Sequence, residues 1–286
     1  MAPRLGFIGL GNIGLPMARR IAAAGLAPTV HDLAAAPVRA LVECGARAAA
    51  SAAAVAAASD VIGVCVRDDA DLTAVVLGAD GILAGAAVGA VIAVHSTVQR
   101  STVLTLGAAA AARGVALVDA AVSGGAMSAD DGTLTVMVGG SDDAVARTRP
   151  LLDCFAGTIV HTGPLGSGCV AKACNQIMQY VAWTAAFEAM ELARAAGVAP
   201  AVIEQVTSAS GVIGASTRRF LGLYRRSAAE RAAAPFRAQM RGFVAIGEKD
   251  LNAARALAAE YGVALPAAAA ALPLLARIYG VEGDDG

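Results

Sequence analysis

Lysine and arginine together number 22 in this chain of 286 residues, yet Lys172 and Lys249 are the only lysines. An arginine guanidinium holds its proton near neutral pH, whereas an ammonium with a lowered pKa can release a proton and take it back. Lys172 stands in Gly163-Pro164-Leu165-Gly166-Ser167-Gly168-Cys169-Val170-Ala171-Lys172-Ala173-Cys174-Asn175, a glycine-bearing turn that opens a long helical stretch, Ser167 to Ala196. About one turn into such a helix, the positive end of the helix dipole and partial burial both disfavour the ammonium. Lys172 therefore reads as a general acid/base. Asn175, three residues on, shares its helix face and can hydrogen-bond a substrate hydroxyl without titrating. Lys249 lies in Gly247-Glu248-Lys249-Asp250-Leu251.

A second group of residues is suited to a dinucleotide. Gly9, Gly11 and Gly14 in Gly6-Phe7-Ile8-Gly9-Leu10-Gly11-Asn12-Ile13-Gly14 form G-x-G-x-x-G between a strand pattern and an amphipathic helix. The first glycine permits the turn, the second lets backbone approach a pyrophosphate, and the third lets helix and strand pack closely. Asn12 and Ile13 lie in the same turn. Asp32 follows Gly14 by 18 residues, at the end of the next strand pattern, near the spacing of the acid that takes the adenine ribose hydroxyls. Its charge would repel a 2′-phosphate, so NAD is favoured over NADP; Arg39 and Arg67 are the residues best able to overturn that preference. Asp32 can also serve as the N-cap of the following helix.

A third group is Asp119-Ala120-Ala121-Val122-Ser123-Gly124-Gly125, after another strand pattern. One hydroxyl and two exposed glycine amides in succession can form a small anion pocket, which suits a carboxylate.

The elements that must position these groups alternate. Strand patterns cover Leu5–Ile8, Pro28–His31, Val61–Val66, Val88–Val94, Ala116–Asp119 and Leu134–Val138, and helical stretches include Ile13–Ala24, Pro37–Cys44, Thr97–Arg113 and Asp142–Cys154. This alternation predicts a doubly wound, mainly parallel sheet with helices on both faces. Beyond residue 162 only helical patterns are read, with Pro200 opening one helix and others spanning about Gln239 to Tyr261 and Pro266 to Tyr279. The expected organisation is a Rossmann domain over residues 1–162 and an all-helical domain over 163–286, with Gly280–Gly286 as a frayed tail.

Composition narrows the classes of function. Apolar residues make up 57% and charged residues 16%, which favours a folded globule over disorder. A net charge of -1 recommends neither nucleic acid nor an anionic membrane surface as partner. The uncharged stretches fall short of the ~20 apolar residues of a spanning helix, and no secretory leader pattern is read, so a cytoplasmic protein is expected. Five cysteines without a CxxC pair indicate neither a disulfide framework nor zinc. No metal is expected, since the histidines are scattered. His31 and His161 read as turn caps, and His95, beside Ser96, is a candidate cofactor contact.

The chain resembles the β-hydroxyacid dehydrogenases, the group that contains 3-hydroxyisobutyrate dehydrogenase and tartronate semialdehyde reductase. The matching stretches are Gly6–Pro16, Ser96-Thr97, Asp119–Gly125, Gly132–Gly140, Gly163–Asn175 and Lys249-Asp250-Leu251, in the family's order along nearly the whole chain. The resemblance implies that Lys172 is catalytic, that Ser123, Gly124 and Gly125 hold a substrate carboxylate, and that Asn175 helps place the hydroxyl. Gly9, Gly11, Asn12, Ile13, Gly14, Asp32, Leu33, Val66, Ser96 and Lys249 are then the expected cofactor contacts. It further implies a small 3-hydroxy acid or its semialdehyde as substrate, and a homodimer or dimer of dimers through the helical domain. Val94, Cys65-Val66-Arg67 and Ala121 depart from the family's usual residues and leave the substrate open. An imine or semialdehyde reductase of the same fold, or a protein that binds NAD without turnover, are the alternative readings; Lys172 argues against an imine reductase.

Overall fold

The computed structural model describes residues 2–283, and the chain forms two compact units that divide between Lys172 and Ala173. The first unit is built on one eight-stranded sheet: β1 (Leu5–Ile8), β2 (Thr29–His31), β3 (Arg47–Ala48), β4 (Val61–Val64), β5 (Val91–Val94), β6 (Ala116–Ser123), β7 (Leu134–Gly139) and β8 (Ala156–Gly163). Their spatial order is β3-β2-β1-β4-β5-β6-β7-β8. Every pairing is parallel except β6 with β7. The order turns back between β1 and β4, so the C-terminal ends of β1 and β4 flank the switch point where such sheets bind ligands.

Period-two alternation sends side chains to two cores. Leu5, Phe7, Val61, Val91 and Ala93 join the helices Gly14–Ala23, Ala35–Val42 and Asp142–Leu152 on one face. Ile8, Ile62, Val64, Ile92 and Val94 join Ala52–Ala57, Asp69–Leu77, Ile82–Gly85 and Arg100–Ala111 on the other. The central strands are buried on both faces, as parallel strands between helical layers are.

Several sequence expectations need correction. β3 and β8 carried no strand signal. β3 has only two residues, and β8 is an edge strand whose residues are mostly half-buried or exposed, so no apolar run marks it. β5 begins at Val91 rather than Val88, because Gly89 turns at φ +89° and Val88 is exposed. β6 runs on to Ser123, since its antiparallel partner β7 pairs with it as far as Thr135. A short helix, Gly125–Asp131, follows, which no sequence pattern marked. Asp32 is not the N-cap of the next helix, which begins at Ala35 with Ala34 as its N-cap.

The second unit is helical. The long helix Ser167–Ala195 starts in the first unit and continues into it, followed by Pro200–Ala209, Ala215–Leu221, Ala228–Ala232, Ala234–Glu260, Pro266–Ala271 and Leu275–Ile278. Pro266 to Tyr279 is therefore not one helix: a 3-10 turn, Leu272–Leu274, holds Pro273 and separates two pieces. The core is aromatic, with Trp183 stacked on Phe220 at 5.0 Å and edge-on to Tyr180 and Tyr279. Val281 belongs to this core, so fraying does not reach that far back; residues 284–286 of the expected tail lie outside the described residues. Among the described residues, no helix is long and apolar enough to cross a membrane.

Candidate active site

The turn after β1 is made by its glycines. Gly9 has φ +89°, and a Cβ there would lie 2.2 Å from the Cys65 carbonyl oxygen at the end of β4. A Cβ on Gly14 would lie 1.9 Å from the Gly9 carbonyl oxygen, so helix and turn pack closely only with glycine at that position. Gly11 differs: nothing stands within 4 Å of its Cβ direction. The helix that begins at Gly14 has no side-chain cap at Ile13, and its Leu15 N–H is taken by the Gly11 carbonyl oxygen at 3.0 Å, so what it offers an anion is the positive end of its dipole. Asp32 locks this turn to β2, because the Leu10 N–H donates to Oδ2 at 2.6 Å and the Ala34 N–H to Oδ1 at 2.7 Å. The carboxylate remains half-buried, with lone pairs still open to a ribose. Beside it, Leu33 is 95% exposed. An open cradle over Gly11, a helix N-terminus without a side-chain cap and a fixed carboxylate fit the pyrophosphate and adenosine half of a dinucleotide.

The neighbouring strand ends are tied together. Ser96, buried just after β5, accepts the Val66 N–H on its Oγ at 2.8 Å, which fixes the loop after β4 to the loop after β5. His95 is not the cofactor contact suggested by its position beside Ser96. It is 2% exposed, stacked on Phe7 and edge-on to Phe155, with Nδ1 at 2.9 Å from the Ala120 carbonyl oxygen. Its Nε2 is buried without a hydrogen-bond partner, and burial pushes its pKa down to about 4. His31 and His161 both bond to backbone carbonyls, at Ala49 and at Gly140.

At the end of β6, Ser123 is half-buried and Gly124 and Gly125 are exposed. Both glycines have left-handed φ, +131° and +74°, and a Cβ on Gly124 would lie 2.6 Å from Ser128 Cβ. Nothing lies within 4 Å of a Cβ built on Gly125, so space is open above this corner. Lys172 comes to the same strand end. It is 8% exposed, and its Nζ donates to the Val122 carbonyl oxygen at 3.0 Å, one residue before Ser123.

The start of the long helix is held by a residue that sequence reasoning left without a role. Asp119, 1% exposed on β6, accepts the Gly166 N–H on Oδ1 and the Cys169 N–H on Oδ2, both at 2.7 Å. Burial pushes the carboxyl up, and the two amides pull it back. The Cys169 thiol is also pushed up, by burial first and by Asp119 second.

Within the second unit, Asn175 is half-buried and its Nδ2 donates to Gln176 Oε1 at 3.1 Å. Gln176 Nε2 in turn donates to Asp250 Oδ2 at 2.5 Å, and the Tyr180 hydroxyl reaches the same oxygen at 3.4 Å. Lys249, exposed on the helix Ala234–Glu260, adjoins this buried carboxylate in sequence. The Gln176–Asp250 pair was also missed, because 74 residues separate its members. Among the described residues, no group of three or more His, Cys, Asp or Glu could hold a metal ion.

A family model described as the NAD binding domain of 6-phosphogluconate dehydrogenase matches residues 4–163, and one described as NAD-binding of NADP-dependent 3-hydroxyisobutyrate dehydrogenase matches residues 166–285. An NAD-dependent L-serine dehydrogenase of Pseudomonas aeruginosa is 38% identical over 203 residues, 71% of this chain and 68% of that protein. The chain belongs to the β-hydroxyacid dehydrogenase family. An uncharacterized oxidoreductase of Mycobacterium tuberculosis is 38% identical over 285 residues, 99% of this chain and 95% of that one. Among solved structures of the family, a Mycobacterium tuberculosis 3-hydroxyisobutyrate dehydrogenase with L-serine superimposes with a TM-score of 0.82 at 26% identity, over 99% of this chain and 96% of the other. An imine reductase of Myxococcus stipitatus, at 18% identity and a TM-score of 0.67 over 99% of this chain and 95% of that one, shares the fold alone. Membership makes the chain an oxidoreductase of a nicotinamide-dependent, hydroxy-acid class.

Proposed function

We propose that this protein oxidises a small 3-hydroxy acid with NAD, or reduces the matching semialdehyde, and that Lys172 carries the proton. The observation that carries the reading is the buried Lys172 Nζ at 3.0 Å from the Val122 carbonyl oxygen, beside the Ser123–Gly125 corner. A buried amine anchored at the end of β6 stands next to the corner that would hold the substrate, where it can exchange a proton with a substrate oxygen. The Ser123 hydroxyl and the Gly124 and Gly125 amides grip the substrate carboxylate, and Asn175 orients the alcohol. Neutral Lys172 takes the hydroxyl proton in oxidation, and its ammonium returns it in reduction. The nicotinamide, when bound, accepts or supplies the hydride. Gly9, Gly11, Asn12, Ile13 and Gly14 cradle the pyrophosphate. Asp32 and Leu33 take the adenosine end, and Val66, Ser96 and Lys249 the nicotinamide end. The carboxylate of Asp32, held by two amides, favours NAD over NADP by repelling a 2′-phosphate.

In this reading residues 1–162 supply most cofactor contacts and the Ser123–Gly125 corner, and residues 163–286 supply Lys172, Asn175, Lys249 and a homodimer surface. Met178, Leu192, Val202 and Val206 in the helical unit are exposed apolar side chains of the kind a dimer covers. A cytoplasmic location belongs to the same proposal.

The test is a panel of 3-hydroxyisobutyrate, L-serine and glycerate with NAD and with NADP, followed by absorbance of the reduced nicotinamide. Reduction of NAD by at least one acid, faster than reduction of NADP, is expected. Turnover of none of them, or a strong NADP preference, refutes the substrate class or the role of Asp32 respectively.

A further inference from the structure

Capping in this chain is mostly local. Ser51, Asp68, Ser141 and Ser227 each accept an amide of the helix they precede. The long helix Ser167–Ala195 also receives a carboxylate from far away. Asp119 on β6 reaches across 47 and 50 residues to take the amides of Gly166 and Cys169. A buried carboxylate with neutral partners carries a large desolvation cost, and a hydroxyl beside the helix would cap it more cheaply. What the strand carboxylate adds is location.

The contact leaves no slack. A Cβ on Gly168 would lie 2.6 Å from the Met137 carbonyl oxygen, 2.7 Å from that of Asp119 and 2.8 Å from Asp119 Oδ2. One on Gly139 would lie 2.5 Å from Asp119 Oδ1 and 2.7 Å from Ser167 Oγ. The first helical turn is thus pressed against β6 and β7, with Thr162 Oγ1 at 2.8 Å from Ser167 Oγ on its flank. Three residues after Cys169, Lys172 returns to β6 at Val122. A single strand therefore anchors the helix start at Asp119, receives the amine at Val122 and ends in the Ser123–Gly125 corner.

We propose that Asp119 is a positioning residue, which grips the first turn of the long helix from β6 and so sets where the Lys172 amine stands relative to Ser123. The inference rests on the acid/base reading of Lys172 for its consequence in turnover, but its geometric content is testable apart from turnover. Asn at position 119 keeps the shape while turning an NH2 toward one of the two amides, so one end of the grip is lost.

The two lysines make a direct readout available. Protein labelled with 13C-lysine gives two side-chain signals, and Lys249→Arg assigns them. In Asp119→Asn the Lys172 signal and its titration midpoint should move, by about half a pH unit or more, while the Lys249 signal stays. With a turned-over acid from the panel, kcat should fall ~10- to 100-fold with little change in KM for NAD, the cost of a misplacement on the order of 1 Å. Ser141→Ala, which removes a cap remote from Lys172, should lower Tm and leave kcat and both lysine signals unchanged. If Asp119→Asn behaves like Ser141→Ala, the positioning role is overturned. If Asp119→Asn does not fold, the smaller Asp119→Ser, whose hydroxyl still accepts one amide, takes its place under the same criteria. Normal turnover in Lys172→Ala would remove the acid/base reading instead, and the lysine spectra would still decide whether Asp119 places that amine.

Discussion

Asp32, one residue past β2, and Asp119, within β6, use one device. Each is a carboxylate whose two oxygens take two backbone amides, Leu10 and Ala34 for Asp32, Gly166 and Cys169 for Asp119. They differ in exposure. Asp32 is half-buried, beside the open space over Gly11 and the exposed Leu33, so it can hold the turn and still meet a ligand. Asp119 is 1% exposed and can only place what it holds. The same bonding pattern thus yields recognition where water reaches it and rigidity where water does not.

The sharpest way to separate the sealed region from the open one is acid. His95, whose ring nitrogen meets Ala120 next to Asp119, is held neutral at a pKa of about 4 against an ordinary 6.5. The unfolded chain takes up a proton below about 6.5 that the folded chain refuses until about 4. Stability should therefore be full above 6.5 and fall as pH drops toward 4, by about 3 kcal/mol in all. Urea unfolding across this window checks it, and His95→Leu should flatten the slope relative to the parent protein.

Next come the two glycines of the open region. Gly14→Ala forces a Cβ to 1.9 Å from a carbonyl oxygen and should cost ~1–3 kcal/mol of stability, read as a lower Tm. Gly11→Ala meets nothing within 4 Å and should keep its Tm while losing NAD affinity in a fluorescence titration. Equal losses of stability in both variants would break the distinction between packing and cradle. The smallest effect is the cofactor preference. Asp32→Asn should shift the NAD:NADP ratio of kcat/KM toward NADP about tenfold, or ~1.4 kcal/mol, whereas Asp119→Asn should leave that ratio alone.

The open region was legible in the sequence because its parts are local. The glycine turn, Asp32 and the strand patterns lie within windows that periodicity and spacing can read. The rarity of lysine singled out Lys172 without any coordinates. The sealed region was not legible. Asp119 stood within a recognised motif, yet its partners lie 47 and 50 residues on, and no spacing rule links a strand carboxylate to a distant helix start. β8 was hidden by its half-exposed edge position, and the burial of His95 between Phe7 and Phe155 depends on three separate strands and loops meeting. Gln176 and Asp250 pair across two helices for the same reason.

The central claim, proton transfer by Lys172, is tested most directly by turnover of Lys172→Ala with NAD and the preferred hydroxy acid, alongside NAD titration of the same variant. A loss of ~10²–10⁴-fold in kcat with NAD affinity retained is predicted, and Lys172→Arg should fail equally because its proton does not exchange in this range. Turnover in Lys172→Ala equal to that of the parent protein would contradict the account.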